Sequence, residues 1–122
     1  MIARRFAPLI VFALVAACTH ELSPTARGRY VFGGEVRSFQ PCGDANEYWV
    51  VTSDSNRDRL RTLHGQLTSR PYQAIYIEVR GARTDGVAGE FSRAYDGLFR
   101  IDTILKVSAG IPSSCSAPAK PK

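Results

Sequence analysis

The sequence predicts a mainly β domain with one short helix. Apolar and polar side chains alternate at a period of two over residues 72–80 and 98–107, which is typical of half-buried strands. Residues 47–52 form a shorter run of strand formers. Leu60, Leu63 and Leu67 recur at helical spacing, which predicts a short amphipathic helix over about residues 56–66. Strands of this length around one capping helix favour a small, mostly antiparallel β-barrel of the OB-like type.

The first strand region, residues 29–40, contains a change of phase. Phe32 and Phe39 fall on opposite phases of the alternation, and Gly33-Gly34 lies between them. We expect one long strand bent at a glycine bulge, because small barrels need such bends to close. A two-residue hairpin at the glycine pair is the alternative.

Composition predicts the connections between the other elements. Residues 41–46 have the composition of a turn, and Arg70-Pro71 should end the helix. The glycine-rich residues 81–94 predict a loop, with an extra short strand around residues 89–93. One face of the last strand should carry Phe99, Ile101, Leu105 and Val107.

The N-terminus has the three parts of an export signal. Arg4-Arg5 is the charged region, and an apolar run follows that is too short for a confident membrane-spanning helix. The run ends in Leu14-Val15-Ala16-Ala17-Cys18, the residue pattern of a bacterial lipobox. We therefore expect residues 1–17 to be removed and lipid to be attached to Cys18. An ordinary secretory signal cut near Ala17 is the alternative.

The rest of the chain divides by composition. Residues 18–28 are polar and aperiodic, which predicts a flexible tether between the membrane and a barrel domain at residues 29–116. Residues 117–122 predict a disordered tail. Thr19 stands where enteric lipoproteins kept at the inner membrane carry an aspartate. We therefore expect an anchor in the outer membrane, with the domain facing the periplasm.

The chain has three cysteines, and an odd count in an exported protein needs an explanation. Lipidation of Cys18 leaves Cys42 and Cys115 as an even pair in an oxidising compartment, so we expect a disulfide between them. Two free buried thiols are the alternative.

The net charge of +5 includes Arg4 and Arg5 of the signal, so the mature domain is only mildly basic.

Four segments carry a resemblance to a known family: FQPCG at residues 39–43, YWV at 48–50, PYQAIYIEVRG at 71–81 and YDG at 95–97. They resemble the C-terminal OB domain of NlpE-type envelope lipoproteins, and short lipoproteins that carry such a domain alone. The resemblance implies an OB barrel and a role in envelope stress or surface sensing. It does not imply copper binding, which belongs to a Cys-x-x-Cys domain that this chain lacks.

The sequence predicts no cofactor, no metal site and no catalytic residues. His20 and His64 are isolated, and with both core cysteines bridged no cluster of soft ligands remains. Asp54 and Asp58 are explained by the start of a helix, and Asp96 by a turn. Neither a carboxylate pair nor a Ser/His/Asp arrangement has support from its context.

Arginines and tyrosines on the strands predict a weak ligand-binding surface. Tyr76, Arg80 and Arg100 are the candidate residues, and scattered solvated arginines are the alternative. The export signal argues against nucleic acid as the ligand. We therefore expect a noncatalytic envelope lipoprotein that binds a protein or glycan partner. A purely structural lipoprotein of an envelope complex and an enzyme acting on cell-wall glycans are the alternatives.

Overall fold

The structure is a computed structural model that describes residues 22–116 and, outside that range, Ala3, Pro8, Ile10 and Pro118. The predicted lipidation site at Cys18 lies outside the described residues, as do most of the predicted signal and tail. Within the described part of the chain, no helix is both long and apolar enough to cross a bilayer.

Five strands close into one barrel, which confirms the predicted fold class. The strands follow the order β1-β2-β3-β5-β4 around the barrel, and the helix α1 lies between β3 and β4 in the chain. A 3₁₀ helix stands between β4 and β5. The elements are β1 Thr25–Phe32, β2 Arg37–Pro41, β3 Tyr48–Thr52, α1 Asp54–Leu67, β4 Ile75–Thr84, the 3₁₀ helix Phe91–Ala94 and β5 Leu98–Ser108.

One strand pair departs from the antiparallel pattern. β3 and β5 run parallel, with Trp49 paired to Leu98 and Thr52 paired to Ile101, whereas every other neighbouring pair is antiparallel. Strand direction cannot alternate all the way around a closed ring of five, so one parallel pair is required. This arrangement, with a helix between β3 and β4, is that of an OB barrel.

The first two strands form a hairpin, and the predicted single bent strand is wrong. Phe32 pairs with Arg37 and Tyr30 pairs with Phe39, so residues 33–36 form the connecting loop. This loop is longer than the two-residue turn of the alternative. The phase change reflects two separate strands, whose Tyr30 and Phe39 side chains both enter the core.

The barrel begins earlier than predicted, because β1 starts at Thr25 and not at residue 29. Thr25 pairs with Arg80, and the preceding Ser23 and Pro24 carbonyls accept hydrogen bonds from the Arg80 side chain (3.3 Å) and the Gly81 N–H (3.0 Å). These residues carry no apolar alternation. Their strand conformation comes from pairing with β4, which a local sequence pattern does not reveal.

The helix α1 is close to its prediction. Ser53 caps it by accepting a hydrogen bond from the Asn56 N–H at 3.1 Å, and Leu60 faces the core. Gly65 lies inside the helix and does not end it. Leu60 lies in the core and Leu67 packs against it, so one side of α1 covers the core.

The last two strands differ from the prediction at two points. β4 continues through Thr84, and residues 91–94 form a 3₁₀ helix where a short strand was expected. β5 is irregular opposite β4, so its alternation slips: Ile104 is buried, whereas Leu105, predicted to face inward, is 49% exposed. A bulge inserts an extra residue and turns later side chains to the other face.

The predicted disulfide is confirmed. The Sγ atoms of Cys42 and Cys115 are 2.01 Å apart, and the two Cα atoms are 4.5 Å apart. The bridge joins the turn after β2 to the segment after β5, where the Gly43 N–H also donates to the Ser116 carbonyl at 3.1 Å. The C-terminal segment is thereby fixed to the barrel wall.

Candidate functional site

The three residues predicted to bind a ligand do not share an open groove. Tyr76 is only 3% exposed, so its ring is enclosed. Arg80 is half-buried and donates to the Ser23 carbonyl, whereas Arg100 is exposed and forms an ion pair with Asp102 at 2.9 Å. Ligand binding at these positions stays a prediction.

A cleft of about 390 Å³ lies elsewhere on the barrel, in the size range of small-molecule sites. Its walls are the β1–β2 loop, the outer face of β2 and β3, one side of α1, and the 3₁₀ helix. We call it the Arg37–Trp49 cleft. The lining side chains used below are Glu35, Arg37, Trp49, Arg57, Asp58, Arg61 and Phe91.

Trp49 forms the floor of this cleft. It pairs with Ser38 on the outer face of β2 and β3, where an indole would normally be open to solvent, yet it is only 5% exposed. Three side chains cover it. The Phe91 ring stacks at 6.4 Å between centroids, the Tyr95 ring is tilted at 5.5 Å, and the Arg37 guanidinium carbon lies 5.2 Å from the indole centroid.

Two N–H groups of this cluster are buried without a partner. Among the described residues, Arg37 Nε and Trp49 Nε1 are the side-chain polar atoms that are both inaccessible to solvent and free of hydrogen bonds. A buried donor left unsatisfied costs about 1–3 kcal/mol, and more when it is charged. Because such groups are few in native proteins, two in one cluster mark a site that can receive an acceptor.

The helix side of the cleft adds two arginines that are already paired with aspartates, and Glu35 of the β1–β2 loop lines the same cleft, so the net positive charge there is small. Arg57 pairs with Asp54 at 2.8 Å and Arg61 pairs with Asp58 at 3.0 Å, each three residues apart on α1. Both arginine side chains are well exposed, at 40% and 62%, so these ion pairs contribute at most about 1 kcal/mol each. An incoming anion can therefore recruit either guanidinium at small cost.

His64 has a structural role. It is 3% exposed on the core side of α1, and its Nε2 lies 2.6 Å from the Gln73 carbonyl, which can only accept. Nε2 therefore carries a proton and donates it. Within the part of the chain described here, no group of three or more His, Cys, Asp and Glu side chains could hold a metal ion.

Sequence reasoning missed the cleft residues, although two signals were available. Residues 48–51 are apolar without alternation, which indicates that both faces of β3 are covered and that Trp49 has a cover of its own. Phe91 is a large aromatic residue inside a glycine-rich polar loop. Neither signal identifies Arg37, whose position over the indole depends on strand pairing.

No protein-family model matches the chain, and comparisons with curated proteins and with solved structures found no match either. The architecture alone therefore defines the class. The molecule is a small OB-type barrel with a cleft beside its β2–β3 face that has an aromatic floor and is lined by three arginines. Its resemblance to NlpE-type lipoproteins stays a prediction from the sequence.

Proposed function

We propose that this protein is a noncatalytic binding module of the bacterial cell envelope, anchored through lipid on Cys18. The observation that carries the proposal is the pair of buried, unpartnered donors at Arg37 and Trp49 in the Arg37–Trp49 cleft. OB barrels bind oligosaccharides and oligonucleotides on the strand 2–3 face, beside the loops that flank it. The cleft occupies that position on this barrel.

Two features support a location in the cell envelope. The lipobox ending at Cys18 is the first, and it directs the domain to a membrane surface, with the outer membrane as the expected location. The Cys42–Cys115 disulfide is the second, since such bonds persist in oxidising compartments such as the periplasm. The resemblance to NlpE-type lipoproteins adds envelope stress or surface sensing as the setting for such binding.

Site-specific photocrosslinking in intact cells tests the binding role. A photoreactive phenylalanine at Phe91, on the lip of the cleft, should give a discrete adduct with an envelope component. The same group at Arg59, which is exposed on α1 but does not line the cleft, is the matched control. Equal adducts at both positions, or none at Phe91, would contradict a binding role for the cleft.

The anchor has its own test. Cys18→Ala should leave an unprocessed precursor that takes up no labelled fatty acid, whereas Cys42→Ala should be lipidated like the original protein. Normal lipid labelling of the Cys18→Ala variant would refute the anchor. It would leave the cleft untouched, so the two parts of the proposal are tested separately.

A further inference from the structure

We infer that the ligand of the Arg37–Trp49 cleft is an acidic sugar, a pyranose that carries a carboxylate. The inference rests on the proposed binding function and names the ligand class for that site. Its basis is the combination of two unpartnered donors, three arginine side chains, an exposed aromatic ring and a sheet closed into a barrel without a free edge.

The chemistry of the unpartnered groups selects an acceptor. Arg37 Nε and Trp49 Nε1 are both donors, and no unpartnered buried acceptor accompanies them among the described side chains. A carboxylate presents two acceptor oxygens and matches a guanidinium in charge. Arg57 and Arg61 stand on the same cleft with only weak surface ion pairs to give up.

Phe91 supplies a surface for the apolar face of a sugar ring. Its side chain is 53% exposed and lies parallel to the Trp49 indole within 23°. It stands on a four-residue 3₁₀ helix that Ser92 fixes from within, because the buried Ser92 hydroxyl accepts from the Ala88 N–H and donates to the Gly89 carbonyl. Phe91 is therefore a positioned, solvent-facing ring directly beside Trp49.

The closed barrel disfavours an extended peptide as the ligand. Each of the five strands is paired on both sides, so the usual route of adding a peptide strand to a sheet edge is not offered by this sheet. The cleft is instead bounded by the β1–β2 loop, α1, the 3₁₀ helix and the face of β2–β3. Such a site fits a compact ring with its charge on one side.

Fluorescence of the single tryptophan tests the inference, because Trp49 is the floor of the cleft. The full lipoprotein in detergent is titrated with D-glucuronate, D-glucose, acetate and inorganic phosphate. We expect the fluorescence to change saturably with glucuronate. The dissociation constant for glucuronate should be at least tenfold lower than for the other three compounds. Equal affinity for glucose, or tighter binding of phosphate or acetate, would overturn the acidic-sugar assignment.

Variants then assign the carboxylate contact. Arg37→Gln should lower the affinity for glucuronate at least tenfold, because it removes a charge-assisted hydrogen bond. The affinity for glucose should stay unchanged. Arg59→Gln, the same change at an exposed helix position off the cleft, should alter nothing. Equal losses in both variants would overturn the contact. Thermal unfolding of each variant confirms that it is folded before the titrations are compared.

The outcome is separable from that of the proposed function. If glucuronate does not bind but the Phe91 photoprobe still gives its adduct, the acidic-sugar assignment fails and the binding role stands. If both experiments are negative, both fail.

A Trp49→Phe variant tests the indole donor. Its affinity for glucuronate, measured by calorimetry, should be about threefold to tenfold weaker because one donor is lost, and an unchanged affinity would remove Nε1 from the contact.

Discussion

The Arg37 guanidinium carbon lies 5.2 Å from the centroid of the Trp49 indole, and each side chain holds a buried N–H that no acceptor meets. A cation over an indole contributes about 0.5–2 kcal/mol, depending on its desolvation. Two unsatisfied donors cost at least as much. The cation–π contact and the unsatisfied donors therefore act in opposite directions on the stability of the fold.

The first prediction concerns this balance. Arg37→Met should change the free energy of unfolding by no more than about 1 kcal/mol, because the apolar chain still covers Trp49 while an unsatisfied donor is removed. Urea unfolding at neutral pH measures it. Phe39→Ala, a truncation of a fully buried ring two residues along β2, is the contrasting control and should cost about 3–5 kcal/mol. A loss above 2 kcal/mol for Arg37→Met would show that Arg37 is a stability residue.

The second prediction concerns the disulfide. Cys42 and Cys115 are 73 residues apart, so their bridge closes a long loop, and chain-entropy reasoning gives it about 4 kcal/mol. The Cys42→Ala/Cys115→Ala double variant should lose that amount of stability in urea unfolding. Reductant should lower the stability of the original protein and leave the double variant unchanged. A reductant effect of equal size on both would contradict the assignment.

Patterns within short stretches of the sequence predicted most of the fold. Alternation gave β4 and β5, the leucine spacing gave α1, and cysteine parity gave the bridge between Cys42 and Cys115. The errors fall where pairing partners decide the structure. Thr25 is in a strand only because Arg80 lies opposite, and Leu105 faces outward because β5 slips against β4. The cleft was missed for the same reason, since its lining comes from five elements that are distant in sequence.

The third prediction compares two glycines. A Cβ atom on Gly81 would lie 2.0 Å from the Arg100 carbonyl oxygen, which is fixed in the β4–β5 ladder. Gly81→Ala should therefore destabilise the barrel by about 1–3 kcal/mol, as overpacking does. Thermal or urea unfolding measures the change. An unchanged stability would show that the two strands separate easily at this point.

Gly65→Ala is the matched control for Gly81→Ala. Gly65 lies within α1 and is exposed, and a Cβ there would meet no atom within 4 Å. Alanine is favoured over glycine inside a helix by about 1 kcal/mol, so this variant should be more stable than the original protein. Opposite signs for the two variants are expected, and the same sign would contradict the steric explanation.

The last prediction concerns the point where the chain enters the barrel. The Ser23 hydroxyl donates to Asp102, and the Arg100 Nε donates to the same carboxylate at 2.9 Å. These hydrogen bonds hold the pKa of Asp102 below its ordinary value of 3.8, and the bond from Ser23 has the larger effect. A carboxyl whose pKa is lowered by folding stabilises the fold above that ordinary value. The contribution disappears as the pH falls through the folded pKa.

Ser23→Ala should therefore raise the pKa of Asp102 toward 3.8 and reduce the loss of stability between neutral and acid pH. A carbon-detected NMR titration of the Asp102 carboxyl measures the pKa, and urea unfolding at several pH values measures the stability. Ser108 lies on β5 like Asp102, and its hydroxyl donates to the Gly110 carbonyl. Ser108→Ala removes that hydroxyl and should change neither the pKa of Asp102 nor the loss of stability in acid. Because Ser23 stands directly before β1, an unchanged pKa in Ser23→Ala would mean that the entering chain is not fixed to β5 by this contact.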